Sequence, residues 1–130
     1  MPQLNIAKMV SGFALFLAAG PAQLALAAAP SAQAQQEIAH LQDYLKNSGC
    51  EFQRNGSWHS SVQARDHLQK KYDYLVKKDL LQSAEDFIAR AATESSISHK
   101  AYEVRCAGKA VEPASSWLQA ELKRYRAQLR

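Results

Sequence analysis

Four histidines, two cysteines and a cluster of serines are the residues of this chain best equipped for chemistry. His40, His59, His67 and His99 form no H-x-x-x-H pair or other recognised zinc spacing, so no metal ligand set is expected. Cys50 and Cys106 are too far apart for a Cys-x-x-Cys redox site. Ser95, Ser96 and Ser98 stand beside His99, but sequence neighbours rarely make a nucleophile and its base, and no G-x-S-x-G elbow is present. No cofactor is implied. Two single residues carry more weight. Arg54 precedes Asn55-Gly56, a turn dipeptide, and an exposed guanidinium there suits a carboxylate or phosphate. His67 borders an apolar helical stripe, where a ring either serves as a hydrogen-bonded structural group or lines a pocket. Its ring is placed to reach a backbone group of the Ser95–Ser98 connection.

These residues need a frame, and periodicity supplies one. Ile38, Leu41, Tyr44 and Leu45 mark a first helix, stopped at Gly49. Cys50 to His59 reads as a hairpin around Asn55-Gly56. A two-residue turn sets Phe52 opposite His59, whereas a three-residue loop sets Phe52 opposite Trp58. The second is preferred because it gathers two large aromatics on one face. Ser60 or Ser61 caps a second helix to about Lys77, with Ala64, Leu68, Tyr72 and Leu75 as its core stripe and His67, Lys71 and Tyr74 along one edge. Ser83 starts a third helix through Phe87, Ile88, Ala91 and Ala92. Tyr102 to Cys106 alternates like a strand. Pro113 and Ser115 introduce a last helix whose stripe is Leu118, Leu122, Tyr125 and Leu129. The fold expected is α+β, with about four helices on a small three-stranded antiparallel sheet.

The first 34 residues set the compartment. Lys8, the apolar run from Met9 to Ala19, the Gly20-Pro21 break and two small-residue cleavage candidates, Ala25-Leu26-Ala27 and Ala32-Gln33-Ala34, follow the grammar of an export signal. The expected organisation is a cleaved signal peptide over 1–34 and one exported globular domain over 35–130, in the periplasm or secreted from a bacterium. The interrupted run is too short for a good membrane span, so the mature chain should have no transmembrane segment. Outside the cytoplasm, two isolated cysteines favour a Cys50–Cys106 bridge. Fifteen basic and twelve acidic residues follow Ala34, a mild positive balance and not the dense basic stripe of a nucleic-acid binder. The densest basic patch, Lys123, Arg124, Arg126 and Arg130, is accounted for by the dipole of the last helix.

The runs Cys50–Trp58, Ala64–Leu68, Lys71-Tyr72, Ser83–Ile88 with Ala91-Ala92, Ser95–Ser98 and Tyr102–Cys106, in that order, resemble a family of small exported bacterial proteins catalogued as domain of unknown function 5329. The resemblance spans nearly all of the exported part. It implies no activity. It does imply emphasis on Arg54, Asn55, Gly56, His67, Ser95, Ser96, Ser98 and Tyr102, and an exception at His99, where glycine is usual. A glycine there suggests a left-handed turn, so His99 puts the shape of this loop in question.

The reading that follows is a non-enzymatic binding or interaction module. Its polar cluster would be Arg54, Asn55, His67, Ser95, Ser96, Ser98 and Tyr102, and its partner an envelope ligand or protein. The alternatives are an envelope-acting enzyme with His67 as acid–base group, or an inhibitor of a secreted hydrolase that inserts the Arg54–Gly56 tip.

Overall fold

The computed structural model describes residues 12–18, 20 and 29–130. Most of the expected signal segment therefore lies outside the described residues, and no described helix is long and apolar enough to cross a membrane. The element order is α1 (Ala32–Asn47), β1 (Glu51–Arg54), β2 (Ser57–Ser60), α2 (Ser61–Lys77), α3 (Ala84–Ala91), β3 (Glu103–Arg105), β4 (Glu112–Pro113) and α4 (Ala114–Gln128).

Helix boundaries fall where side chains satisfy the first free amides. Ser31 accepts from the amide of Ala34, and Ser83 accepts from that of Asp86. Ser60 and Gln63 form a reciprocal capping box at α2. Each such cap stabilises by about 1 kcal/mol. The expected domain start at Gln35 falls inside the first turn of α1, where Ala34 is already buried.

The hairpin takes the two-residue turn, so the preferred three-residue loop is corrected. Asn55 and Gly56 have φ of 50° and 81°, and the register pairs Phe52 with His59 and Gln53 with Trp58. Positive φ at both central residues matches the turn to the strands' own twist, and that outweighs the gain from placing two aromatics together. Trp58 thereby goes to the outer face, where the Arg105 guanidinium lies 4.0 Å from its ring centroid and is held by Glu51 at 3.2 Å.

The sheet has four antiparallel strands in the order β2-β1-β3-β4, one more than expected. The addition is β4, two residues at an edge, too short to show an alternation and containing a proline that only an edge tolerates. Glu51 pairs with Arg105, so Cys50 and Cys106 are the next opposed positions, and they are disulfide-bonded with their Cα atoms 4.5 Å apart. That is the spacing of a close cross-strand pair.

Cys50, Phe52, Tyr102 and Val104 share the inner face, which the helices cover, and α1 packs against α2, α3 and α4. Phe87, Leu41, Leu81 and Leu118 are fully enclosed. Leu129, expected in the last stripe, is exposed because α4 ends at Gln128. The C-terminal arginines also do more than meet a helix dipole. Arg126 binds the buried carboxylate of Glu37 through two nitrogens, at 2.5 and 3.0 Å, and reaches Glu85 on α3. Arg124 and His40 share Glu121, at 2.7 and 2.9 Å.

Two stability effects should follow. The bridge closes a loop of 56 residues, so replacing both cysteines by alanine should lower unfolding stability by about 2–5 kcal/mol in a denaturant titration. Arg126→Met strands the buried Glu37 carboxylate and should cost about 3 kcal/mol in the same assay, whereas Lys123→Met, on the exposed side of α4, should cost under about 0.5 kcal/mol.

Candidate functional site

Between the β1–β2 hairpin and α2 the core is not filled. Leu45, Phe52, Ala64, Leu68, Ala92, Ala114 and Leu118 wall a slot that opens past Arg54, His59, Gln63 and His67. The cleft's cavity volume is about 50 Å³, and all the space between its walls, open solvent included, about 460 Å³. The space exists because α2, the end of α3 and the start of α4 each present an alanine there.

At the mouth, His67 Nε2 and Tyr102 Oη are 3.1 Å apart. Lys71 Nζ, one helical turn beyond His67, donates to the same hydroxyl at 3.2 Å and to the Glu94 carbonyl at 3.0 Å. Its bonds cross from α2 to the connection after α3. His67 thus bonds Tyr102, not the expected backbone of the Ser95–Ser98 connection, while Lys71 makes the backbone contact at Glu94.

The charge around this group is one-sided. Burial, then Arg54, Lys71, His59 and Lys70 in turn, lower the His67 pKa to about 4. No carboxylate lines the cleft, and among the described residues Arg54, like Arg90 and Arg130, has no salt-bridge partner, whereas Arg65, Arg105, Arg124 and Arg126 are paired. Desolvation also lowers the Lys71 pKa, partly opposed by Glu94, and raises that of Tyr102. The arrangement compatible with these directions is Lys71 ammonium donating to Tyr102, and Tyr102 donating to a neutral imidazole. A ring held neutral in this way is an acceptor near neutrality and a poor proton donor, which weakens the case for an acid–base role.

The other expected residues divide. Asn55 Oδ1 accepts from Ser98 Oγ, fastening the hairpin tip to the loop after α3. Ser95 is buried and its Oγ accepts from the amides of Ile97 and Ser98, closing that loop on itself. Ser96 lies elsewhere, exposed beside Lys70, Tyr74 and Arg90. His99 itself takes the left-handed conformation, with φ of 59°, and its Nδ1 is 3.2 Å from Glu94. The cluster is therefore two groups. Arg54, His67 and Tyr102 face the cleft, while Asn55, Ser95 and Ser98 brace the loops beside it. His59 was missed as a cleft residue, and Lys71 as the cation that binds Tyr102 behind His67. Lys71 is four residues from His67 on one helical edge, and His59 faces Phe52 only in the two-residue turn. Among the described residues no three His, Cys, Asp or Glu side chains gather as a metal site.

The His67 environment sets a sign for pH dependence. The ring takes up a proton at about 4 when folded but at 6.5 when unfolded. The unfolded chain therefore gains the proton first, and the contribution is complete above about pH 6.5 and lost as the pH falls toward 4. Between pH 7 and 5, the chain should lose about 1 kcal/mol more than His67→Gln, after discounting for the ring's partial exposure. Denaturant titrations at the two pH values check this, and equal losses in both proteins would contradict it.

The comparisons with known proteins come to one finding. Neither a curated protein nor a solved structure matches this chain. A family model described as a family of unknown function, DUF5329, matches residues 32–126, which runs from the first residue of α1 to the arginine that holds Glu37. The chain belongs to the DUF5329 family.

Proposed function

We propose that the chain is an exported, periplasmic domain that binds a small molecule in the cleft between its hairpin and α2, and does no chemistry on it. The observation that carries this is an apolar slot with a few polar groups, Arg54, His59 and His67, at its mouth, the usual form of a small-molecule site. The inhibitor reading has less support, because Asn55 is tied to Ser98 and Arg54 lines the cleft, so the tip is not free to enter another protein.

Titrating the folded domain with six-carbon probes, 1-hexanol, hexanoate and hexylammonium, and following backbone amides by NMR, tests the binding reading. At least one probe should shift the amides of Phe52, Ala64 and Ala114, and Ala64→Phe, which fills the slot, should abolish that response. No response to any of the three would count against a binding cleft.

Export carries its own expectation. Cleavage after Ala34 would remove Ser31, whose side chain caps α1, and Pro30, whose carbonyl accepts from Gln35. Cleavage after Ala27 leaves both, and the family match also begins upstream of Ala34. Mass spectrometry of protein from the periplasm should find Ala28 as the first residue. An N-terminus at Gln35 would overturn this assignment, and an intact Met1 would overturn export itself.

A further inference from the structure

We infer that the cleft is selective for an apolar monocarboxylate, its chain in the alanine-lined slot and its carboxylate at the mouth against Arg54. This inference rests on the binding reading and names the ligand class.

Three features of the cleft point the same way. The slot is walled by carbon, so the part of a ligand that fills it must be apolar and narrow. The charged groups facing His67 come from every surrounding element and almost all have one sign. The cations are Arg54 on β1 and Lys70 and Lys71 on α2, and the other titratable groups there are His59 on β2 and Tyr102 just before β3. The one acid nearby, Glu94, lies beyond Lys71, and its backbone carbonyl is what Lys71 binds. A cationic head group would meet uncompensated like charge. A neutral one would offer Arg54 only an uncharged acceptor, a weaker bond than the charge-assisted pair a carboxylate makes.

The choice of carboxylate over a larger anion follows from the donors. Arg54 offers a planar fork that fits two carboxylate oxygens side by side. Lys71 keeps one N–H after its bonds to Tyr102 and the Glu94 carbonyl but does not line the slot, and Tyr102 gives its one hydroxyl hydrogen to His67, so the two do not make a cage around a tetrahedral phosphate. One guanidinium without a salt-bridge partner beside an apolar slot therefore matches one carboxylate on an apolar body.

The same three probes decide the class. Hexanoate should bind at least about tenfold more tightly than 1-hexanol, and hexylammonium should not bind measurably. Arg54→Gln should weaken hexanoate by about tenfold and leave 1-hexanol unchanged, and Ala64→Phe should remove both. Comparing hexanoate with acetyl-glycyl-leucine, free acid against amide, separates a free acid from a peptide's C-terminal end as the source. Binding of 1-hexanol equal to that of hexanoate would overturn the carboxylate assignment while leaving the cleft as a binding site. Binding of none of the probes would remove both. If Arg54→Gln melts below the assay temperature, Arg54→Lys replaces it. That change keeps the charge and loses the fork, so it should weaken hexanoate, and unchanged affinity would contradict bidentate capture.

Discussion

Everything around the cleft depends on the pairing of β1 with β3, which the Cys50–Cys106 bond locks at its end. β1 carries Arg54 and the hairpin tip, and the segment entering β3 carries Tyr102. One register between them sets the distance from the guanidinium to the hydroxyl. A slip of β3 by one residue would turn Val104 outward and carry Tyr102 away from His67. Few strand residues are available to resist such a slip, since β1 has four and β3 three. A covalent tie at the next opposed pair does what a longer ladder would do by hydrogen bonds alone.

On that fixed sheet, the helices solve two problems at once. They cover the inner face, and they leave a gap in doing so. Ala64, Ala92 and Ala114 converge on Phe52 where larger residues would close the core. Ion pairs away from the cleft tie the helices to one another. Arg126 joins α4 to α1 and α3 through Glu37 and Glu85, and Glu121 gathers His40 and Arg124. The C-terminal basic residues are thus split between structure and surface. The arginines at 124 and 126 are held by acids, while Lys123 and Arg130 remain exposed.

Much of this was legible in the residues. The four helices follow from their apolar spacing and from Ser60 and Ser83, whose caps are local chemistry. The disulfide follows from two lone cysteines. The hairpin register was missed because aromatic pairing was weighed above the φ requirement of Asn55-Gly56, and the turn prevailed. β4 was missed because two residues carry no period. Of the expected polar cluster, Arg54, His67 and Tyr102 do converge, but the serines turned out to be loop braces or solvent-facing. Nothing in the sequence separates a serine that caps a turn from one that binds a ligand. The cleft itself could not be read at all, because a gap arises from how three helices meet and not from any one of them.

The central claim is that a neutral His67, ringed by cations, borders a site that receives a carboxylate. The most direct test is the imidazole 15N titration of His67 with and without hexanoate. Free protein should hold the ring neutral down to about pH 4, with Nε2 as the acceptor of the Tyr102 hydroxyl. Saturating hexanoate should raise that midpoint, because a bound anion offsets the cations that depress it. A midpoint near the ordinary histidine value of about 6.5 in the free protein, or one that hexanoate leaves unmoved, would contradict the account.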